Sequence, residues 1–208
     1  MGKLAKSVST IRQWAVGSVL LAWAGLMTVL VSCLMVGHWV SLPHPTTDNS
    51  DWAVKLSDTA YGSATPHWLA LHVLYADCPC SIRIMKQVVQ REPNEGIRER
   101  VVLIGENDEL AQSARAKGYE VDCVTPAQLM EQYGLESAPM LVVLDPNRRP
   151  QYAGGYTSRK QGPDIQDTAI IEALLAGQNV ESLPVYGCAV SNGLKSIVDP
   201  LGMKYAKE

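Results

Sequence analysis

The feature that most constrains this chain is a long stretch without charge near its N-terminus. Residues 14–40 contain no Asp, Glu, Lys or Arg, and 27 residues in a helix would span about 40 Å. Because the hydrocarbon core of a membrane is about 30 Å thick, the pattern predicts one transmembrane helix, with Trp14 and Trp39 at the two interfaces. Three basic residues precede this stretch, and all 21 acidic residues follow position 47. The positive-inside rule therefore predicts that the C-terminal part is exported.

Two other interpretations of the same stretch concern cleavage. A signal peptide usually has a shorter apolar segment, of about 7–15 residues. Residues 30–33 (LVSC) fit a lipoprotein processing site, which would place a lipid on Cys33. The apolar run continues to Val40, where a lipoprotein usually becomes polar. This continuation favours an uncleaved anchor, in which Cys33 has no role.

The rest of the chain has the composition of a globular domain. Hydrophobic residues make up 47% of the sequence and charged residues 19%, which excludes a disordered chain. Residues 41–208 hold 15 basic and 21 acidic residues without a basic cluster, which argues against nucleic acid as a partner. We expect an anchor over 1–40, a linker over 41–63, a domain over 64–178 and a C-terminal extension over 179–208.

Apolar runs and helical patterns alternate after the linker. Strands are expected at 68–76, 100–105, 140–144 and 151–154, the last one antiparallel. Helices are expected at 81–91, 108–117, 125–133 and 165–175. The second of these should end at Gly118, and the third should have Thr125 as its N-cap and Pro126 at its first position. This alternation predicts an α/β fold with a mixed sheet flanked by helices.

The first strand runs directly into a Cys-Pro-Cys tripeptide, after which a helix begins. Pro79 suits the first turn of a helix, where its missing N–H would have no partner in any case. Cys78 would then lie at the helix N-terminus, where free backbone N–H groups and the helix dipole lower the pKa of a thiol. A thiolate attacks disulfides and binds soft metals. Two cysteines on the exported side of a membrane are seldom inert.

These elements together resemble the thioredoxin-like superfamily. The similarity lies in the strand–cysteine turn–helix unit, in Ala138-Pro139-Met140 before a core strand, and in a hairpin that ends at Gly154-Gly155. It covers about residues 64–178. Together with the anchor and the tail, it is similar to exported thiol–disulfide oxidoreductases of the TlpA and ResA type and, through Cys-Pro-Cys-Ser, to RedB-like proteins. The resemblance implies a cis Ala138–Pro139 bond, with Pro139 facing the active-site cysteines and shaping the peptide-binding surface.

The spacing of the two cysteines departs from that family. Its motif is Cys-x-x-Cys, whereas this chain has one residue between Cys78 and Cys80. A disulfide between them would close a small, strained and readily reduced ring. The alignment makes Cys78 the attacking thiol and Cys80 the resolving one. The strain leaves open a second arrangement, in which Cys80 attacks and Cys188 in the tail resolves.

Other residues could also take part in the chemistry. The exported part has four cysteines, which permit two disulfides in three pairings, so Cys123 and Cys188 are candidates for a redox role or a structural bridge. Asp77 is expected to cap the helix that follows it. His72 could complete a soft metal site with Cys78 and Cys80.

The sequence therefore predicts a bacterial, single-pass thiol–disulfide oxidoreductase without a cofactor. Its soluble domain would face the periplasm or the cell exterior, and its partner would be a protein thiol or disulfide. Two alternatives stay open at this point. One is a copper-binding, metallochaperone-like module, and the other is a non-catalytic subunit of a membrane complex.

Overall fold

The computed structural model of the 208-residue chain describes residues 2–39, 41–45, 52, 67–160, 162–199, 202, 204 and 205. The chain divides into two compact units, Met1–Val40 and Ser41–Glu208. In the first unit, helix α1 covers Gly2–Trp39. Its segment Trp14–Cys33 is long and apolar enough to cross a membrane, a property that it shares with signal sequences.

The second unit is built on a five-stranded sheet. Its elements in chain order are β1 (Leu69–Tyr75), α2 (Pro79–Val88), β2 (Arg98–Ile104), α3 (Asp108–Ala116), β3 (Glu120–Val124), α4 (Pro126–Gln128), a π-helical turn (Leu129–Tyr133), β4 (Ser137–Ala138), β5 (Met140–Leu144), β6 (Pro150–Gly154), α5 (Asp167–Leu175), β7 (Cys188–Ala189) and α6 (Asn192–Val198). The strand order is β3-β2-β1-β5-β6. β1, β2 and β3 are parallel, and β5 and β6 run antiparallel to their neighbours.

This mixed sheet, with a cysteine turn after its central strand and a proline before its antiparallel hairpin, is the thioredoxin-like fold that the sequence predicts. Ala138–Pro139 is a cis peptide bond, as expected. Thr125 caps the next helix through a capping box, and Pro126 occupies its first turn. The expected helix over 125–133 is wrong in one respect: after one α-helical turn it continues as a π-helical turn to Gly134, whose φ is +65°.

Two buried clusters cover the two faces of the sheet. One includes Ile84, Met85 and Val88 of α2 together with residues of α3 and α5. On the other face, residues that follow α5 in the chain pack against β1 and β5. They are Val185, Ala189, Val190 and Leu194.

The C-terminal segment thus returns to the sheet and contributes to its core. Val185 also forms a backbone bridge with Leu42, and β7 pairs with β4 in a small antiparallel sheet. No pattern in the sequence predicts either of these two-residue strands. The domain boundaries expected at residues 63 and 178 stay predictions.

Candidate redox site

The first component of the site is the turn that connects β1 to α2. Cys78 has extended backbone angles (φ −98°, ψ 115°) and is the N-cap residue of α2, with Pro79 in the first turn. Its N–H donates to the carbonyl of Tyr75 at 3.0 Å, and its own carbonyl accepts from Ile82 at 2.9 Å. The expectation that Asp77 caps this helix is wrong, because the chain enters the helix one residue later and the cap has no side-chain hydrogen bond.

The second component is the strand that carries Cys188. β7 lies antiparallel to β4, with Cys188 opposite Ala138. The carbonyl of Ala138 is 4.0 Å from the Cys78 sulfur, so that pairing brings Cys188 to the helix N-terminus. The structure therefore brings Cys188 close to Cys78 and Cys80, which lie more than 100 residues earlier in the chain. We call Cys78, Cys80 and Cys188 the thiol cluster.

Electrostatics within the thiol cluster favour charge on one sulfur. Hydrogen bonds from Cys188 and then Cys80 lower the pKa of Cys78, and they outweigh burial, which acts in the opposite direction. The same hydrogen bonds raise the pKa of Cys80 and of Cys188, since each thiol donates to Cys78, and burial adds to the rise. Lys204 counteracts this rise slightly through its positive charge. These opposite shifts favour a single thiolate on Cys78 that accepts hydrogen bonds from two thiols.

Accessibility distinguishes the two thiols of the Cys-Pro-Cys motif. Cys78 is 0% exposed, whereas Cys80 is partly exposed and lines a shallow pocket that also includes Pro139 and Tyr186. The sequence predicts a lowered pKa for Cys78, and in the structure the pKa of Cys78 is lowered, with hydrogen bonds from the other two thiols as the main causes. The Cys78 sulfur is not accessible to solvent, whereas direct attack on a client requires an exposed sulfur. The structure therefore does not support the prediction that Cys78 attacks a client first.

Cys123 lies apart from this cluster. It is exposed on β3, opposite Leu103, and β3 is the edge strand, two positions away from β1 in the sheet. The Arg115 guanidinium is 4.0 Å from its sulfur. Cys33 is exposed on α1.

His72 is engaged elsewhere and does not complete a metal site. Its Nε2 is 2.7 Å from the Glu99 carboxylate, and its Nδ1 is 3.0 Å from the Tyr156 hydroxyl. Binding a metal through either nitrogen would break one of these buried bonds. Across the residues that the structure describes, no group of three or more His, Cys, Asp or Glu side chains is arranged to hold a metal ion.

The partners of His72 form a buried ionic network that sequence reasoning missed. Arg91 donates two hydrogen bonds to Glu99, at 3.0 and 2.9 Å, and one to Asp167 at 2.7 Å. Burial alone would raise the pKa of Glu99, but hydrogen bonds from His72 and Arg91 lower it to about 2. The available signal was Glu99 itself, an acidic residue at the start of an apolar strand. We call His72, Arg91, Glu99 and Asp167 the ionic network.

Comparison with known proteins gives distant similarities only. No known protein-family profile matches the chain, and no curated protein matches it. A crystal structure of a hypothetical protein from Sinorhizobium meliloti is 18% identical with a TM-score of 0.44, covering 74% of this chain and 91% of that one. An uncharacterized conserved protein from Geobacillus kaustophilus is 16% identical with a TM-score of 0.41, covering 61% and 77%. The thioredoxin domain of a thiol–disulfide oxidoreductase from Bacteroides vulgatus is 11% identical with a TM-score of 0.33, covering 54% and 84%.

Proposed function

We propose that this protein is a membrane-anchored thiol–disulfide oxidoreductase that works on protein clients outside the cytoplasm. The observation that carries the proposal is a helix-capping cysteine with a lowered pKa, hydrogen-bonded to a partly exposed second cysteine beside Pro139. A charged sulfur within reach of a thiol is the arrangement from which disulfide exchange proceeds. The uncharged part of α1 from Trp14 onward, which three basic residues precede in the same helix, supports anchoring and export of the domain.

Because Cys80 is partly exposed and Cys78 is buried, we propose that Cys80 makes the first contact with the client. As a client disulfide approaches, the proton of Cys80 passes to the Cys78 thiolate, and the Cys80 sulfur attacks. A mixed disulfide forms between Cys80 and the client, and one client thiolate leaves. That thiolate takes the proton from Cys78, whose sulfur then attacks Cys80. The client leaves with both of its sulfurs reduced, and Cys78 and Cys80 share a disulfide.

Return to the starting state requires a reductant, for which we propose a dithiol protein at the membrane. Pro139 lies at the mouth of the pocket with Cys80, where it can contact an extended client segment. Residues 137–138 just before it already pair with β7. We propose that the client instead contacts the pocket beside Cys80, which Pro139, Arg83 and Thr157 also line.

The function is tested with the full-length protein in detergent micelles, using insulin as the disulfide substrate and a dithiol reductant. We expect turnover by the natural sequence, none by Cys80→Ser, and accumulation of a mixed disulfide through Cys80 in Cys78→Ser. Cys123→Ser is the matched control, because it removes an exposed cysteine outside the thiol cluster, and it should retain full activity. Equal activity of Cys80→Ser and the natural sequence would refute the proposal.

Export is tested separately with a reporter fused after Glu208. We expect reporter activity outside the cytoplasm only. Activity inside the cytoplasm would overturn the proposed topology without bearing on the chemistry of the site.

A further inference from the structure

The place of Cys188 is fixed by an unusually close approach of two backbone segments. A Cβ atom on the preceding residue, Gly187, would lie 2.0 Å from the carbonyl oxygen of Ala138 and 2.5 Å from Cδ of Pro139. Only glycine fits such a contact. The N–H of Val190 then donates to the Glu136 carbonyl at 2.7 Å, which extends the pairing on the other side of Cys188.

This placement is anchored on both sides of the cysteine. Val185, Ala189 and Val190 are each at most 1% exposed within the core cluster that includes β1 and β5. The N–H of Ala189 donates to the Tyr205 hydroxyl at 2.8 Å. Cys188 is itself only 9% exposed, so it is held against Cys78 and is not a freely moving thiol of a tail.

Within the thiol cluster, Cys78 is the member that interacts with both others through hydrogen bonds. Cys80 follows it within the same turn, and the β4–β7 pairing places Cys188 opposite Ala138, whose carbonyl oxygen is 4.0 Å from the Cys78 sulfur. The bond to Cys80 closes a ring with one intervening residue, which is strained and easily reduced. A bond to Cys188 joins positions 110 residues apart in the chain. In the chain-entropy account of disulfides, longer loops give the more stable bond.

We propose that Cys188 is the third redox cysteine of this site and that the oxidised protein rests as a Cys78–Cys188 disulfide with Cys80 free. The sulfur of Cys188 attacks the Cys78 sulfur of the Cys78–Cys80 disulfide. The Cys78–Cys80 bond breaks, the Cys78–Cys188 bond forms, and the proton of Cys188 passes to Cys80. No electrons enter or leave in this step, so no further oxidant is needed.

The consequence is a relay from the surface to the interior. The partly exposed Cys80 forms the mixed disulfide with the client, and the buried pair Cys78 and Cys188 then holds the resulting disulfide bond. Cys80 becomes a thiol again before the reductant arrives. The step rests on the proposed function for its place in turnover, but the stored disulfide itself does not depend on turnover and can be tested without a client.

To test this, the full-length protein in micelles is oxidised with oxidised glutathione, and its free thiols are alkylated. Its disulfides are then mapped by mass spectrometry after trypsin cleavage. We expect a cross-linked pair of peptides that contain Cys78 and Cys188, with the alkyl label on Cys80. The cross-link should persist in Cys80→Ser and in the control Cys123→Ser. A disulfide inside the single peptide that holds Cys78 and Cys80, with the label on Cys188, would overturn the proposal.

Two substitutions at Cys188 separate its covalent role from its hydrogen bond. Cys188→Ser keeps a hydroxyl donor for the Cys78 thiolate, whereas Cys188→Ala removes it. In equilibrium with glutathione, both variants should be at least about tenfold easier to reduce than the natural sequence, a change of about 30 mV. Only Cys188→Ala should also raise the pH at which Cys78 becomes reactive towards iodoacetamide. Unchanged equilibria in both variants would overturn the proposal.

The two proposals can fail independently. If the Cys78–Cys188 disulfide forms but insulin is not reduced, the storage site stands and the proposed function falls. If insulin is reduced while only Cys78–Cys80 forms, the function stands and the role of Cys188 falls. Circular dichroism of each variant confirms that it is folded before it is scored.

Discussion

Strand β1 and the turn after it contribute to two clusters of ionisable groups. The clusters differ in whether a charged group has a partner of opposite charge. His72 within the strand belongs to the ionic network, in which Glu99 is hydrogen-bonded by both His72 and Arg91. Cys78, just after the strand, belongs to the thiol cluster, where a single charged sulfur receives hydrogen bonds from two thiols. The ionic network has complementary charges, and the thiol cluster has none of opposite sign among its members.

The difference separates a structural role from a chemical one. In the ionic network, each group forms hydrogen bonds or ion pairs with partners to which it cannot bond covalently. The network therefore stabilises the fold only when all of its members are present. In the thiol cluster, each hydrogen bond joins two atoms that can also form a covalent bond. Perturbing the first cluster should therefore change stability, and perturbing the second should change reactivity.

The largest effect on stability is expected from Glu99→Leu, which leaves His72 and part of Arg91 buried without their acidic partner. We expect a loss of about 3–5 kcal/mol in the free energy of unfolding, measured by urea denaturation. Glu120→Gln is the matched control, because Glu120 also pairs with two arginines, Arg98 and Arg100, but its side chain is 42% exposed. It should cost about 0–1 kcal/mol. Equal losses in the two variants would break the comparison.

Acid should reveal the same network without a substitution. The pKa of Glu99 is about 2 in the folded protein, against 4.5 for a free glutamate. A carboxylate with a lowered pKa contributes stability above its unfolded pKa and loses it as the pH falls. Between pH 4.5 and 2, roughly 3 kcal/mol should therefore be lost from this group. The decline over that range should be shallower in Glu99→Leu, and parallel declines would contradict the assignment.

A smaller loss of stability is expected from Gly187→Ala, which acts on the thiol cluster by shifting its third member. The added methyl group would collide with the Ala138 carbonyl and Pro139, so β7 must move at a cost of about 1–3 kcal/mol. Because Cys188 shifts with it and its hydrogen bond to Cys78 weakens, the pH at which Cys78 becomes reactive towards iodoacetamide should rise. Gly193→Ala, where the nearest atom is 4.0 Å away, should change neither quantity. An equal rise in both variants would show that the contact at Gly187 is not what holds Cys188 beside Cys78.

The local units of the site could be predicted from the sequence because their signals are local. An apolar run followed by a Cys-Pro step predicts a strand and a helix start, and both form within two residues of the expected positions. The capping box at Thr125 and the glycine ends of the helices depend on hydrogen bonds within a few residues. The cis Ala138–Pro139 bond came instead from the family resemblance, since nothing in its own neighbourhood predicts it.

The missed elements are those whose hydrogen-bond partners lie far away in the sequence. β4 and β7 have two residues each and are strands only because they pair with one another. Asp77 was expected to cap α2 from its position alone, but the turn after β1 places Cys78 in that role. His72 was a candidate metal ligand until Glu99 and Tyr156 were seen to occupy both of its nitrogens.

The sequence by itself determined the anchor-like helix, the alternating strands and helices, and a cysteine at the start of α2. Each of these follows from residues that are neighbours in the chain, through hydrophobic periodicity, backbone preference and the helix dipole. Only the tertiary structure decided which thiol is exposed, which carboxylate pairs with His72, and which of the remaining cysteines joins the site. The last of these outcomes depends on the close approach of Gly187 to Ala138 and Pro139, which places Cys188 beside Cys78, whereas Cys123 lies on an edge strand. Such a contact joins segments that are distant in the sequence, and no local preference encodes it.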